Sequence, residues 1–205
     1  MYPRYIKRLL DIVISLCGII ILSPILLIIL VLVRVKLGSP AVFKQDRPGR
    51  HEDVFKLYKF RTMTDARDEN GELLPDKVRL TRFGRVLRST SLDELPELIN
   101  ILKGDMSLVG PRPLLVEYLP YYTEVERIRH SVRPGLTVPD VLKKDVVQTW
   151  DNQFKSDVEY ANNLTFMKDF KIVIGTFGKL IKRNQTQYGN FVRGKLSDER
   201  KDMVK

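Results

Sequence analysis

The sequence predicts a mostly helical α+β chain in three parts. These are a re-entrant membrane helix hairpin over residues 1–38, a small domain over 39–183 with short strands and interfacial amphipathic helices, and a polar, flexible tail over 184–205. Three observations predict it. No residue from Ile12 to Val33 is charged, and after Gly38-Ser39-Pro40 the composition turns to that of a water-facing domain. Beyond that point apolar residues recur at strand or helix spacing in short runs bounded by Gly and Pro.

The apolar run belongs in lipid. With roughly 17 aliphatic residues at about −0.3 to −0.6 kcal/mol each, insertion is favoured by 5–10 kcal/mol in order of magnitude, before the polar residues are subtracted. The run continues past Ser23-Pro24 to Arg34, unlike the short apolar region of a cleaved signal peptide. Arg4, Lys7 and Arg8 precede it, and Arg34 and Lys36 follow it, so the positive-inside rule draws both ends to the cytoplasmic face. A hairpin satisfies both pulls. Pro24 lies near the middle, where it removes one helical hydrogen bond and clashes with the carbonyl of Ile20, and each half reaches only about half of a hydrocarbon core roughly 30 Å thick. This predicts a re-entrant helix broken at Ser23 and Pro24, the Ser hydroxyl satisfying freed backbone groups, with a kinked single span as the competing reading.

After the boundary, Val42-Phe43 and Val54 to Phe60 read as short strands, and Asp65 to Lys77, with Asn70-Gly71 and Pro75, as an exposed loop. Thr81 caps a short basic helix through Arg82, Arg85 and Arg88. Ser91 starts the next, whose Leu92, Leu95, Leu98, Ile99 and Leu102 recur at helical spacing up to Gly104-Asp105. Leu114 to Arg129 suits a further helix. From Phe166 to Arg183, Phe170, Val173, Ile174, Phe177 and Ile181 form one apolar face ringed by Lys168, Lys171, Lys179 and Lys182, which fits a helix in the membrane interface and equally fits packing on the domain's own core. The residues from Asn184 onward are polar and charged, as in a flexible tail.

A net charge of +10 implies an anionic partner, and on charge alone nucleic acid, anionic lipid and phosphorylated substrates are open. Nucleic acid is set aside for want of an aromatic stacking platform or a recognisable module. The single Cys17 excludes an internal disulfide, and His51 and His130 are too isolated for a zinc site.

Chemistry concentrates between Arg88 and Arg112, around Ser91-Leu92-Asp93-Glu94-Leu95-Pro96. Ser91 with Glu94 is a capping box, and acids in a first helical turn stabilise it by roughly 0.3–1 kcal/mol, so the pair alone requires no function. Its setting adds one. Free N–H groups at a helix start suit an anion, a carboxylate there can share a site with phosphate and a divalent metal, and adjacent acids divide the roles of nucleophile or metal ligand and of proton or metal handling. Arg88 and Arg112 can hold phosphate oxygens bidentately, which neither packing nor capping requires.

These residues resemble the small monotopic phosphoglycosyl transferases of the bacterial sugar transferase family, over nearly all of the chain up to about Arg183. The resemblance rests on Lys7-Arg8 with Asp11, the apolar run broken by Ser23-Pro24, Arg47-Pro48-Gly49, and Tyr58-Lys59-Phe60-Arg61-Thr62-Met63. Its most specific pieces are Ser91 to Pro96, Lys103-Gly104-Asp105-Met106-Ser107 and Gly110-Pro111-Arg112-Pro113. It is nearest to members that move a diacetamidosugar 1-phosphate onto undecaprenyl phosphate in bacterial glycan assembly and protein N-glycosylation. The resemblance implies a catalytic domain on the cytoplasmic face of the bacterial inner membrane, transfer from a UDP-sugar to a polyprenyl phosphate with release of UMP, and a covalent phosphosugar on Asp93. It implies Glu94 as partner in handling Mg2+ and the acceptor's proton, Asp93 and Glu94 as the metal ligands, and Arg88, Arg112 and Lys59 as phosphate-binding groups. Asp157 becomes a further active-site candidate, and downstream glycosyltransferases become candidate partners.

One stretch departs from the family pattern. After Arg133-Pro134-Gly135-Leu136-Thr137 the family continues Gly-Leu or Trp-Ala-Gln-Val-Asn-Gly-Arg, whereas this chain has Val138-Pro139-Asp140-Val141-Leu142-Lys143-Lys144-Asp145. A glycine, ligand-binding amides and an arginine are replaced, and Asp145 stands where a cation would meet a pyrophosphate. The departure motivates a second expectation, a catalytically impaired paralogue that binds polyprenyl phosphate or serves as a scaffold.

Overall fold

A computed structural model describes residues 2–142, 149–182 and 194–201. Helix α1 spans Lys7–Leu37 and is long and apolar enough to cross a membrane. It is one uninterrupted helical element with Pro24 inside it, so the expected break at Ser23-Pro24 is corrected to a proline housed within the helix. The local reason lies in the backbone bonding. Pro24 has no N–H for the carbonyl of Ile20, and Ser23 Oγ donates to that carbonyl instead at 2.8 Å.

Helix α1 is fastened to the domain along its length. Near its start Lys7 Nζ meets Asp169 at 2.6 Å, Arg8 donates to the carbonyls of Ile101 and Leu102, and Asp11 accepts from Ser107 Oγ and Leu108 N. Ile19 and Leu22 pack on Leu98 and Ile101, while Ile29, Val33 and Leu37 are buried against Phe60 and Leu87. Ile20, Ile21, Leu27, Ile28 and Val35 are exposed. The helix thus leaves an apolar face exposed while both of its ends stay on one domain.

Strands β1 (Val42–Pro48) and β2 (Val54–Phe60) form an antiparallel hairpin with Phe43 opposite Lys59. A loop with the short helix α2 (Asp76–Arg79) leads to α3 (Arg82–Ser89), which Thr81 caps as expected, its Oγ1 accepting from Gly84 N at 3.0 Å. Gly84 is required there, because a Cβ would fall 1.8 Å from the carbonyl oxygen of Thr62. Helix α4 (Glu97–Lys103) ends at Gly104, whose φ of 97° is a left-handed cap. Strand β3 (Ser107–Val109) pairs in parallel with β4 (Gly135–Thr137), and the backbones close so tightly that a Cβ on Gly135 would lie 2.0 Å from the nitrogen of Gly110.

The single helix expected over Leu114 to Arg129 is corrected to three short pieces. A 3-10 helix (Val116–Tyr121) carries Pro120, then Thr123 starts α5 (Glu124–Arg127) with a capping box, and a second 3-10 helix follows at Ile128–Ser131. Helices α6 (Trp150–Asn162) and α7 (Phe166–Lys182) complete the domain. Trp150 and Phe154 pack with Leu114, Tyr118, Tyr122 and Leu196, and a neighbouring cluster joins Val109, Val141, Tyr160 and Ile172. Along α7 it is Asp169 and Ile172 that face inward. Phe170, Ile174 and Phe177 of the anticipated apolar face are exposed together with Phe166 and Met167, and Phe166 lies edge-on to Tyr2 just before α1.

The flexible tail expected over 184–205 is corrected for residues 194–201, and its other residues lie outside those described. Leu196 of α8 (Leu196–Glu199) is fully buried, Trp150 Nε1 donates to the carbonyl of Gly194, and Arg200 grips both oxygens of Glu126 at 2.7 and 2.8 Å. An apolar anchor and a forked ion pair outweigh the polar composition of the segment. Leu196→Ala should therefore cost about 2–5 kcal/mol of stability, read as a lower unfolding temperature of the detergent-solubilised protein. An unchanged temperature would contradict the docking.

Candidate active site

The site starts from a strained turn. Ser91 adopts left-handed φ/ψ of 56° and 17°, and its side chain makes no capping hydrogen bond to the 3-10 turn Leu92–Glu94. The capping-box reading of Ser91 and Glu94 therefore fails. Glu94 turns away and takes Lys59 Nζ at 2.8 Å. Asp93 is only 8% exposed, and among the described residues no ion pair occupies its carboxylate. Burial, then the neighbouring Glu94, pushes its pKa up, with Lys59 and Arg88 pulling back part of the way.

Strand β2 delivers Lys59 to a pair of acids. Its ammonium lies 2.8 Å from Glu94 and 3.1 Å from Glu97, which is 4% exposed on the first turn of α4. Burial disfavours the charged lysine, but Glu97 and Glu94 together outweigh it and raise its pKa. The strand and helix are clamped one turn further on, where Asn100 Nδ2 donates to Lys56 O and Asn100 Oδ1 accepts from Tyr58 N.

Glu97 did not emerge from the sequence, because the helical spacing of the leucines drew the inward face of α4 elsewhere. A glutamate three residues after Glu94 was the available signal. Burial, the largest effect, lifts its carboxyl to about 7, Lys59 opposing and Glu94 adding to the rise. An acid with a raised folded-state pKa holds protons more tightly when folded, so its stability contribution is present below about 4.5 and is lost as pH climbs to about 7. Across that window the unfolding temperature of the wild type should fall relative to Glu97→Gln. Parallel curves would remove the assignment.

The expected phosphate-binding arginines are anchored through the backbone or a hydroxyl. Arg88 is exposed at the end of α3, with Nε bonded to Thr62 Oγ1 at 3.0 Å, and Arg112 is exposed on the Gly110 to Pro113 loop. Two arginines that sequence reasoning left without a role support that loop: Arg47 Nη1 donates to Pro113 O and Arg129 Nη2 to Arg112 O at 2.6 Å. Burial and then the proximity of Arg112 lower the pKa of Arg47.

Asp157 stands apart from the other candidates. At 2% exposed it is engaged by Arg129 Nε and Nη2 at 3.1 and 2.8 Å, so its contact is with the residue that holds the Arg112 loop. The departing stretch begins as a 3-10 helix at Pro139–Leu142 with Pro139 and Val141 buried, and its first half is core packing beneath Val109. Lys143, Lys144 and Asp145 lie outside the described residues.

Lys59, Arg88, Asp93, Glu94 and Glu97 thus share one electrostatic neighbourhood, with Arg112 at its edge, on an α+β domain fastened to a long apolar helix. The chain belongs to the bacterial sugar transferase family, whose model matches residues 2–183. It is 49% identical over 187 residues to the uncharacterized sugar transferase EpsL of Bacillus subtilis (strain 168), covering 91% of this chain and 93% of that one. It is 36% identical over 183 residues to the UDP-glucose:undecaprenyl-phosphate glucose-1-phosphate transferase of Klebsiella pneumoniae, covering 84% of this chain and 39% of that one. With the UDP-N-acetylgalactosamine-undecaprenyl-phosphate N-acetylgalactosaminephosphotransferase of Aeromonas hydrophila it shares 33% identity over 189 residues, 86% of this chain and 44% of the relative. The chain therefore spans less than half the length of these two relatives.

Proposed function

We propose that this chain is a phosphoglycosyl transferase that moves a sugar 1-phosphate from a UDP-sugar to undecaprenyl phosphate. The observation that carries this reading is a nearly covered carboxylate, Asp93, without an ion pair among the described residues and bordered by Lys59, Arg88 and Glu94, in a chain whose relatives bear such activities. A carboxylate oxygen of Asp93 attacks the sugar-bearing phosphorus, the bond from that phosphorus to the bridging oxygen breaks, and UMP leaves with both electrons. An oxygen of undecaprenyl phosphate then attacks the same phosphorus and frees Asp93. Lys59, Arg88 and Arg112 offset charge on the phosphates, and two displacements divide one difficult encounter.

Mg2+ fits this donor set. Among the described residues no cluster of three or more metal-ligating side chains exists, and Asp93 with Glu94 offers the one or two carboxylates that Mg2+ takes when phosphate oxygens and water supply the rest. When bound there, the ion offsets negative charge on the pyrophosphate.

A membrane placement is part of the same proposal. Because α1 is held to the domain at Lys7 and again at Leu37, we favour over a span a re-entrant course on the cytoplasmic leaflet of the bacterial inner membrane, with Pro24 bending the helix rather than breaking it, and with the exposed phenylalanines of α7 extending the lipid-facing surface. The test is a UMP-release screen over UDP-glucose, UDP-galactose, UDP-N-acetylgalactosamine and a UDP-diacetamidosugar, with undecaprenyl phosphate and Mg2+. Release with one of them is expected, and the diacetamidosugar is the donor that the sequence resemblance favours. Silence with all four would return the chain to the reading of an impaired, polyprenyl-phosphate-binding scaffold.

A further inference from the structure

We infer that Glu97 is a positioning residue of this site, holding Lys59 by its ammonium so that the cation remains against the donor's phosphates when Glu94 turns to them. The inference rests on the transferase reading and goes one residue beyond it.

A lysine carries a compact charge on a flexible four-carbon stem, so its position depends on what grips the end. Here two acids grip it. Glu94 belongs to a 3-10 turn that starts from a strained residue, and its side chain is half-buried. Glu97 differs on every count: it is buried, it belongs to a regular helix, and that helix is tied at its far end by Arg8 to Ile101 and Leu102 and to β2 by Asn100. Asn100 takes the backbone at Lys56 and Tyr58 while Glu97, one turn earlier on the same face, takes the side chain of Lys59. The strand and the tip of its lysine are therefore fixed from one rigid helix.

Packing alone does not account for an acid at this position. A buried carboxylate is costly to desolvate, and an apolar residue of similar volume would serve the core as well or better. An ammonium has three protons. With one on Glu97 and one on Glu94, a third is left for a phosphate oxygen. When Glu94 turns to the substrates, Glu97 keeps the lysine from swinging into solvent.

The test is a double-mutant cycle of Glu97→Leu and Lys59→Met, with Glu97→Gln as the conservative variant, read on UMP release and, separately, on binding of UDP by calorimetry. In the Lys59 wild-type background Glu97→Leu should lower kcat/KM and UDP affinity about ten-fold, a loss of the size expected for a charge-assisted hydrogen bond. Glu97→Gln, which still accepts from the ammonium, should recover part of it. In the Lys59→Met background the same substitutions should change neither quantity. Equal losses in both backgrounds would overturn the inference and leave Glu97 as a packing residue. The two readouts separate the failures. UDP-binding coupling without turnover of any UDP-sugar would sink the transferase reading alone, whereas Asp93-dependent turnover without coupling would sink the role of Glu97 alone.

Discussion

Asp93→Asn is expected to abolish UMP release, by roughly 10⁴-fold or more, and to remove any adduct formed when the protein meets a UDP-sugar labelled in the sugar and is quenched before acceptor is added. The size of the effect follows from chemistry. The amide is nearly isosteric but offers no carboxylate oxygen to phosphorus, and no neighbouring acid replaces it: Glu94 is held by Lys59, and Glu97 is buried behind that lysine. The fold should not suffer. Burial and Glu94 already raise the pKa of Asp93, meaning that its charged form is disfavoured where it stands, so a neutral side chain relieves the structure while disabling the reaction. An inactive variant that unfolds at or above the wild-type temperature is the expected result. Undiminished UMP formation would refute the assignment of the nucleophile.

The contrast between Asp93 and Glu97 explains how far the sequence was legible. Asp93 was legible because adjacent acids between arginines have a chemical meaning that does not depend on packing. Glu97 was not, because its meaning is its partner, a lysine 38 positions earlier on another element. The phase of α4 shows the same limit. Periodicity counted Leu92, Leu95, Leu98, Ile99 and Leu102 as one face, but the 3-10 turn at Leu92–Glu94 gives way to an α-helix that begins afresh at Glu97, so Ile99 is exposed and Glu97, Asn100 and Ile101 point inward. A tertiary clamp on β2, invisible to spacing, decided which residues were buried. The apolar character of α1 and the cap at Thr81 are legible, since each depends on neighbours within one turn or on the solvent around it, whereas the break expected at Ser23-Pro24 is not found. The tail was misread for the opposite reason: Leu196 and Arg200 find their partners at Trp150, Phe154, Glu126 and Asp151.

Asp157→Leu is expected to cost about 3–5 kcal/mol of stability, since it leaves the Arg129 guanidinium, 2% exposed, without its counter-charge. Thermal or denaturant unfolding reads the loss directly, and a loss under 1 kcal/mol would show that the pair is not the buried bridge described above. The double variant Arg129→Met with Asp157→Leu separates two roles for the pair. Removing both charges in favour of apolar groups of similar size is often neutral for a fold, so most of the lost stability should return. Affinity for the UDP-sugar should not return with it. Arg129 Nη2 is the donor to the carbonyl of Arg112, and methionine cannot replace it, so the loop that carries Arg112 loses that fixed point in the double variant. If Asp157 acts only through Arg129, the double variant will be stable, will release UMP, and will show a raised KM for the UDP-sugar with a smaller change in kcat. If Asp157 itself touches the reacting groups, kcat will collapse in both variants whatever their stability.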